Sequence, residues 1–453
     1  MNIVILGAGQ VGSAIATQLS VDDKNNITII DTNQDYLDEA SKYLDINTIL
    51  GNASHPSILE KSGIETTDMV IAVTKSDETN MLACQMAHTL YGVKKKIARI
   101  RTAEYLHKKE LFTENAIPID FVITPEILIT NYLARVIEEP GAAQIFEFEN
   151  GLIQLVETRV FANSPIVDRP ITELHKHLPN AKLRIVSINR KCKEVQLSGS
   201  TIIRNSDKVF FVTEKDSVTK VLKEFRRLDR PYKNIIIAGG GRIGLNLAKI
   251  LEKNHNIRII EKNKTRAREV EATLNKTLVL CGNASDEKLL LDEGIANTDL
   301  FIALTDSDEI NVIVSILAKK LGAHKTISLV KRNIYEDLAS NSHEIDMVLS
   351  PDQITSGGIL SHIRAGNTMM VHSMHQNKSE AIEIIIEASA TQLIDKNIKI
   401  ISRRVLPKGV KVGVVIRGDK VIVPTGDVII RLNDHILFII TDISQVPMLE
   451  KLL

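Results

Sequence analysis

Apolar residues fall into short runs of strand length, separated by segments whose apolar positions repeat at helical spacing. The pattern predicts a first strand at residues 3–6 and a first helix at 13–19. Further strands are expected at 27–31, 47–50, 68–73, 96–100 and 121–124, and further helices at 34–43, 56–62 and 80–90. This strict alternation is typical of α/β proteins with a doubly wound parallel sheet of the Rossmann type.

The first strand runs directly into a glycine-rich turn formed by Gly7, Gly9 and Gly12. In such a G-x-G-x-x-G pattern the first glycine permits a tight turn, the second lets a pyrophosphate approach the backbone, and the third lets the next helix pack on the strand. The amides at the start of that helix would face the phosphates. The second strand ends in Asp31, about 20 residues farther on, where an acceptor for ribose hydroxyls is expected.

This stretch occurs twice in the chain. Gly239, Gly241 and Gly244 repeat the three glycines, and a strand ending in Glu261 repeats the acid. Two loops also recur, residues 51–54 as 282–285 and residues 73–80 as 304–311. Agreement in loop residues as well as in apolar periodicity indicates a tandem duplication.

A different pattern of apolar and polar residues follows each dinucleotide-binding pattern. Short alternating strands are predicted at 143–148, 153–160, 182–188 and 208–213, typical of a small α+β domain that ends near Arg227. Residues 229–231 are the expected linker, and the small-domain pattern recurs at the C-terminus, where Asp168 matches Asp395 and Asp207 matches Asp434. The expected domains are residues 1–125, 142–227, 232–351 and 369–453.

Composition narrows the functional classes. The 453 residues include 56 basic and 56 acidic side chains, so a nucleic-acid partner is not expected. Three cysteines without close spacing argue against a disulfide framework or structural zinc and fit a reducing compartment. No apolar run approaches the roughly 20 residues of a membrane span, and the first strand follows Met1 at once, so we expect a cytosolic protein without a signal peptide.

The repeated plan and its loop residues resemble the tandem RCK (regulator of potassium conductance) proteins of Trk-type potassium uptake systems. The resemblance covers essentially the whole chain. It depends on the segments Ile-Leu-Gly-Ala-Gly-Gln-Val-Gly12, Thr-Lys-Ser-Asp-Glu-Thr-Asn80 with Cys84-Gln85, and Ala-Arg-Ile-Arg101 with Glu104-Tyr105.

The resemblance implies a function. It implies a non-catalytic regulatory subunit on the cytoplasmic face of the membrane, assembled as a homo-oligomeric ring beneath a potassium-translocating subunit of the TrkH type. It implies binding of NAD(H) and of adenine nucleotides such as ATP or ADP, with the bound state passed on as a conformational change. Each repeat would then consist of a nucleotide-binding N-lobe and a small C-lobe.

The first nucleotide site is expected in the first N-lobe. Asp31 would accept hydrogen bonds from ribose hydroxyls and repel a 2′-phosphate, favouring NAD over NADP. Arg99 is a phosphate partner by resemblance or else a member of an interfacial ion pair, and Thr74 with Asp77 could instead be helix caps. The full predicted set is Gly7, Ala8, Gly9, Gln10, Val11, Gly12, Asp31, Asn52, Ala53, Val73, Thr74 and Arg99.

The second site is expected to differ from the first. Leu329 matches Arg99, Arg242 replaces Gln10 and could contact a phosphate, and Lys262 with Lys264 weakens the case against a phosphorylated ribose. The two sites therefore need not prefer the same nucleotide. The predicted set is Gly239, Gly240, Gly241, Arg242, Ile243, Gly244, Glu261, Asn283 and Ala284.

An NAD-dependent oxidoreductase remains the main alternative, because the fold alone does not determine function. A third possibility is a module that binds some other small ligand or ion in the C-lobes. A dehydrogenase should carry a proton donor and acceptor beside the nicotinamide, and the small domains offer no such pair in sequence. The histidine pairs 175/177 and 372/375 lack a carboxylate or cysteine at ligand spacing, so no metal site is expected. Met369, Met370 and Met374 are expected in a core or a dimer contact.

Overall fold

The computed structural model describes residues 1–21, 24–191, 193–226, 231–340, 344–351, 354–355, 359, 368–374 and 379–453. The chain forms two compact units, of which the first contains Met1–Leu128 and the second contains Ile129–Pro351 and Ser379–Leu453. The expected linker at 229–231 lies largely outside the described residues.

The first N-lobe is a six-stranded parallel sheet. Its strand order is β3-β2-β1-β4-β5-β6, the doubly wound order that the alternating pattern predicts. The strands are β1 (Asn2–Leu6), β2 (Asn26–Asp31), β3 (Asn47–Leu50), β4 (Met69–Ala72), β5 (Lys95–Arg99) and β6 (Phe121–Ile123). The helices are α1 (Gln10–Leu19), α2 (Gln34–Ser41), α3 (Pro56–Lys61), α4 (Asp77–Thr89), α5 (Ala103–Leu106) and α6 (Pro125–Glu138).

The second N-lobe repeats this architecture, with strand order β14-β13-β12-β15-β16-β17. The strands are β12 (Asn234–Ala238), β13 (Asn256–Glu261), β14 (Leu278–Cys281), β15 (Leu300–Ala303), β16 (Lys325–Leu329) and β17 (Met347–Leu349). The helices are α9 (Arg242–Leu251), α10 (Lys264–Thr273), α11 (Glu287–Asp292), α12 (Asp308–Lys320) and α13 (Asn333–Ser340). In both N-lobes the central strands are buried on both faces, which explains their uninterrupted apolar runs.

Each C-lobe contains a five-stranded antiparallel sheet, with orders β10-β9-β11-β8-β7 and β18-β19-β22-β20-β21. The first C-lobe contains β7 (Ala142–Phe148), β8 (Ile153–Arg159), α7 (Thr172–His177), β9 (Leu183–Arg190), β10 (Lys193–Glu194), β11 (Lys208–Glu214) and α8 (Val218–Phe225). The second contains β18 (Thr368–Met374), β19 (Ser379–Ile385), α14 (Ile398–Arg404), β20 (Val410–Arg417), β21 (Lys420–Ile422), β22 (His435–Ile440) and α15 (Val446–Glu450).

The same ion pair stabilises both C-lobes. The Nε and Nη2 atoms of Arg190 each donate to the carboxylate of Asp207 over 2.8 Å, and Arg417 makes the equivalent pair with Asp434 over 2.7 and 2.8 Å. Both aspartates are fully buried. Their desolvation is therefore offset by a bidentate, charge-assisted contact.

The two C-lobe sheets share one hydrophobic core, which the sequence did not predict. Phe148, Phe210 and Val212 of the first C-lobe belong to the same buried cluster as Met374 and Leu437 of the second. Met374 is thus a core residue, as expected, whereas the side chains of Met369 and Met370 are not described. The tandem C-lobes are a single packed body within the second unit.

Several predicted element boundaries were wrong. Helix α1 begins at Gln10, three residues before the prediction, because Gly9 already takes the N-cap position with extended backbone angles. Helix α4 begins at Asp77 instead of Asn80, since the side chain of Ser76 caps it by accepting from the amide of Thr79. The predictions relied on apolar spacing, and the first turns of both helices contain too few apolar residues to show it.

Candidate nucleotide-binding sites

The first glycine-rich turn has the geometry that its spacing predicts. Gly7 adopts φ +109°, a conformation that residues with side chains rarely adopt. A Cβ atom at Gly12 would lie 1.9 Å from the carbonyl oxygen of Gly7. The third glycine therefore allows helix α1 to contact the turn directly.

The middle glycine faces open space. A Cβ atom at Gly9 would have no neighbour within 4 Å, although the backbone angles there suit any residue. The amide of Ser13 is the first to bond within the helix, to the carbonyl of Gly9 over 2.9 Å. Helix geometry leaves the amides of Gln10, Val11 and Gly12 without an intrahelical acceptor, so positive partial charge surrounds this space.

Asp31 fixes the turn from the end of β2. One of its carboxylate oxygens accepts from the amide of Ala8 over 2.6 Å, and the other accepts from the amide of Asn33 over 2.8 Å. A carboxylate has about four acceptor positions, so contacts to ribose hydroxyls remain open. Asp31 thus has a structural role in the turn that the sequence analysis did not anticipate.

The other predicted first-site residues lie at the carboxyl ends of the strands. The backbone of Val73 and Thr74 approaches within 3.1 Å of where a Gly7 Cβ atom would be. Asn52 is held by a local turn, in which its side-chain oxygen accepts from the amide of Ser54 over 3.0 Å. The side chain of Ala53 is 4% exposed, so only its backbone could contact a nucleotide.

A buried asparagine connects two of these strand ends. The side-chain oxygen of Asn80 accepts from the amide and the hydroxyl of Thr74 over 3.0 and 2.7 Å. Its side-chain nitrogen donates to the carbonyl of Arg99 over 2.9 Å. The loop after β4 and the end of β5 are therefore held together beside the glycine-rich turn.

Thr74 and Asp77 do not cap helix α4, which was the alternative to a binding role, because Ser76 is the N-cap residue. Thr74 contacts Asn80, and Asp77 is the first residue of the helix. The carboxylate of Asp77 accepts from the amides of Arg101 and Thr102 over 3.0 and 2.8 Å. Burial raises the pKa of Asp77, but the hydrogen bonds from Thr102 and Arg101 outweigh it and hold the pKa below its usual value.

Arg99 lies on the same edge of the sheet, in an ion pair. Its Nη2 atom is 3.5 Å from a carboxylate oxygen of Glu126, and both side chains are largely buried. Burial lowers the pKa of the guanidinium, an effect that Glu126 partly offsets. The Nε atom of Arg99 is buried without a hydrogen-bond partner among the described residues, so a ligand could pair with it only if the side chain moved.

The second repeat reproduces this backbone arrangement. Gly239 adopts φ +111°, and a Cβ atom at Gly244 would lie 2.1 Å from its carbonyl oxygen. A Cβ atom at Gly241 would again have no neighbour within 4 Å. Glu261 accepts from the amides of Gly240 and Asn263 over 2.7 and 2.8 Å, as Asp31 does in the first repeat.

The loops around the second turn also match. Asn311 bonds to Thr305 and to the carbonyl of Leu329 as Asn80 bonds to Thr74 and Arg99. Among the remaining predicted residues, Arg242 and Ile243 open helix α9, the oxygen of Asn283 accepts from the amide of Ser285, and Ala284 is buried.

The side chains at the two sites differ. Leu329, which occupies the position of Arg99, is buried and cannot pair with a phosphate. Arg266 in α10 instead donates from Nε to the carbonyl of Gly240 over 2.9 Å, so its guanidinium lies against the second turn. The equivalent residue in α2 is Tyr36. Arg266 was not among the residues predicted from the sequence. Its position in the first turn of the helix that follows Glu261 could have indicated a side chain close to the glycine-rich turn.

The histidines singled out in sequence have ordinary surroundings where the structure describes them. The Nδ1 atom of His177 is 2.8 Å from a carboxylate oxygen of Glu224, a partner that sequence spacing did not reveal. His372 stacks on Phe146, with ring centroids 4.6 Å apart, and burial lowers its pKa to about 3. His375 and the side chain of His175 lie outside the described part of the chain.

Comparison with known proteins agrees with the sequence resemblance. The TrkA-N domain family matches residues 3–125 and 235–351, and the TrkA-C domain family matches residues 155–226. The Trk system potassium uptake protein TrkA of Halomonas elongata is 40% identical over 456 residues, covering 100% of this chain and 98% of the relative. The chain belongs to the TrkA family.

Other relatives and solved structures extend this assignment. TrkA of Vibrio alginolyticus is 39% identical over 455 residues, with 100% of this chain and 98% of that protein covered. The RCK domain of GsuK superposes with a TM-score of 0.62 at 17% identity, covering 100% of this chain and 94% of that one. The GsuK channel bound to NAD gives 0.60 at 16% identity, covering 100% and 78%. These likenesses establish the RCK fold of the family.

The family assignment indicates a regulatory protein of potassium uptake. In the described part of the chain, no helix is both long and apolar enough to cross a membrane.

Proposed function

We propose that the chain is the nucleotide-sensing regulatory subunit of a Trk-type potassium uptake system. It binds NAD(H), or ATP or ADP, at two sites and transmits the bound state to a potassium-translocating membrane subunit of the TrkH type. The observation that carries the proposal is the duplicated turn, in which Gly9 and Gly241 each face open space at a helix N-terminus.

The first site is the better candidate for NAD(H). Asp31 ends β2 beside the turn, and its negative charge disfavours a 2′-phosphate. Arg99 ends β5 on the same edge of the sheet, and its partly exposed guanidinium could pair with a phosphate. A GsuK channel of the same fold carries NAD, which supports a dinucleotide at this position.

The second site has a different balance of charge. Arg266 places a positive charge against the second turn. The position that Arg99 occupies in the first site holds the uncharged Leu329 in the second. A phosphate group would therefore be approached from the side of α10. Because GsuK has also been solved with ADP, we propose that this site accepts an adenine nucleotide.

Regulation requires only that a nucleotide bind more tightly to one conformation of the assembly than to another. We propose a ring of several copies on the cytoplasmic face of the membrane, as the resemblance to tandem RCK proteins implies. No catalytic step is assigned to the chain.

The test is a potassium-flux measurement in liposomes that contain the TrkH-type subunit and the purified chain. We expect flux to change on addition of NADH or ATP, without consumption of NADH. The matched control is Gly9→Val, which adds bulk only to the open space of the first site. A potassium flux that changes with neither nucleotide would contradict the proposal. Oxidation of NADH in the presence of a small substrate would favour a dehydrogenase.

A further inference from the structure

Two carboxylates and one imidazole from the two C-lobes converge at a single point of the second unit. Glu149 lies in the turn after β7, Glu383 in β19, and His435 at the start of β22. One oxygen or nitrogen atom from each lies within 4.8 Å of the other two. Sequence spacing gave no signal, because Glu149 and Glu383 are 234 positions apart.

The contacts within this cluster are close. The Nδ1 atom of His435 is 3.3 Å from a carboxylate oxygen of Glu383 and contacts a carboxylate oxygen of Glu149 directly. The other oxygen of Glu383 accepts from the backbone amide of Glu149 over 3.2 Å. The Glu383 side chain is 3% exposed, while those of Glu149 and His435 are 24% and 22% exposed.

This arrangement places two acidic groups side by side with one of them buried. The ion pairs described for Glu149 and Glu383 are both with His435. Buried charges in proteins are paired or coordinate metals, and a single imidazole, which carries at most one positive charge, does not compensate two carboxylates. A divalent cation would balance both charges.

The equivalent point of the first C-lobe has a different basic residue. Glu157 lies opposite Phe210 in β8, as Glu383 lies opposite Leu437 in β19, so the two glutamates occupy the same place in their sheets. Strand β11 begins with Lys208, whereas β22 begins with His435. A lysine supplies a fixed positive charge, and a histidine supplies a metal ligand. At this position, therefore, the first C-lobe has the ammonium group of Lys208 and the second has the imidazole of His435, which can bind a metal ion.

We propose that Glu149, Glu383 and His435 bind a first-row divalent transition metal of the Zn²⁺ class between the two C-lobes. One nitrogen and two oxygen donors suit such an ion better than Ca²⁺ or Mg²⁺, which prefer oxygen ligands alone. Zinc bonds of about 2.0–2.1 Å place neighbouring ligands of a tetrahedron roughly 3.3 Å apart. The distance between His435 and Glu383 already has this value, whereas Glu149, which contacts His435 directly, would have to move away from it when the ion binds. A water molecule would complete the coordination on the exposed side.

Bound metal would join the turn after β7 to β19 and β22, and so link the first C-lobe to the second. This proposal is independent of nucleotide binding at the N-lobes. It predicts one metal ion per chain and a metal-dependent rise in the stability of the second unit.

Calorimetric titration of the full chain with Zn²⁺ tests the proposal. Cys281 is an exposed free thiol, so the titrations use a Cys281→Ser background. We expect one saturable Zn²⁺ per chain and at least a ~10-fold loss of affinity in His435→Ala and in Glu383→Gln, because a ligand should matter no less than an outer-shell group. The matched control, Glu157→Gln at the equivalent point of the first C-lobe, should bind Zn²⁺ within about twofold of the background protein.

Folding is checked from thermal midpoints without metal, and His435→Gln replaces His435→Ala if the latter does not fold. Co²⁺ gives a readout on the background protein that needs no ligand variant, because tetrahedral coordination produces intense visible absorption bands. Absence of Zn²⁺ binding, an octahedral Co²⁺ spectrum, or binding that the His435 variants leave unchanged would overturn the proposal.

Discussion

The first and second repeats share their backbone contacts and differ in the charges beside them. In both, an acid clamps the glycine-rich turn, and in both an asparagine links two strand ends. Arg99 of the first repeat is replaced by Leu329, and Tyr36 by Arg266. The comparison teaches that the contacts shared by both repeats shape the backbone of the glycine-rich turn. The side chains that differ are the ones that can make the two repeats prefer different ligands.

The C-lobes show the same division. The pairs Arg190–Asp207 and Arg417–Asp434 are geometrically equivalent, whereas Lys208 and His435 give their lobes different chemistry. The ion pair that each C-lobe needs for folding is the same in both repeats, whereas a neighbouring position differs between them.

The largest effect is expected from breaking the shared C-lobe ion pair. Asp207→Asn and Asp434→Asn should each cost about 3 kcal/mol of unfolding free energy. Each removes the charge of a fully buried carboxylate that accepts two guanidinium hydrogen bonds, although the arginine side chains themselves are 27% and 32% exposed. Urea unfolding of the full chain measures this cost. A loss below about 1 kcal/mol in one variant only would show that the two lobes do not depend equally on the pair.

The third glycine of each turn should be the next most sensitive position. Gly12→Ala and Gly244→Ala place a Cβ atom about 2 Å from a carbonyl oxygen of the turn. We expect each to destabilise its own N-lobe by about 1–3 kcal/mol and to abolish nucleotide binding in that repeat alone. Thermal unfolding and calorimetry measure the two effects, and Gly9→Ala is the control that should leave stability nearly unchanged. Equal stability of Gly12→Ala and Gly9→Ala would contradict the described packing.

A smaller, pH-dependent effect is expected in the second N-lobe. Glu252 accepts hydrogen bonds from the amides of Asn275, Lys276 and Thr277. Burial raises the pKa of Glu252, but the bonds from Lys276, Asn275 and Thr277 outweigh it and lower the pKa from 4.5 to about 2. Glu252→Gln should therefore cost about 1–2 kcal/mol near neutral pH.

The sign of the pH dependence follows from that lowered pKa. The contribution of Glu252 is complete above its unfolded pKa of 4.5 and is lost as the pH falls towards 2. The difference between wild type and Glu252→Gln should be constant above about pH 5 and should shrink below it. A difference that does not change with pH would refute this account.

The smallest effect is expected at the phosphate side of the first site. Arg99→Leu imitates the second repeat and should weaken nucleotide binding at the first site by roughly five- to tenfold, the loss of one charge-assisted contact near a partly solvated pair. Calorimetry with NADH measures it. The second site, which already has Leu329, should be unaffected, and an unchanged affinity at the first site would assign Arg99 to its ion pair with Glu126 alone.

Local sequence signals predicted the N-lobes well, because their strands are buried apolar runs and their turns require glycine at fixed positions. Gly12 and Gly244 could be identified from spacing because only glycine fits there. The clamping role of Asp31 was not predictable, since an acid at the end of β2 suits both a ribose and a backbone amide. The shared core of the C-lobes and the convergence of Glu149, Glu383 and His435 depend on contacts between distant segments, which no local pattern encodes.

The most direct test of the account is calorimetric titration of Gly9→Val and Gly241→Val with NADH and ATP. Valine at either position projects into space that holds no protein atom within 4 Å of its Cβ, and the backbone angles of both glycines permit it. Asp31→Ala would be less informative, because it also removes contacts that hold the turn.

Two distinct nucleotide-binding events are predicted for the wild-type chain, the loss of one in each single variant, and the loss of both in the double variant, with folding intact throughout. If the double variant still binds either nucleotide like wild type, the glycine-rich turns are not the binding sites.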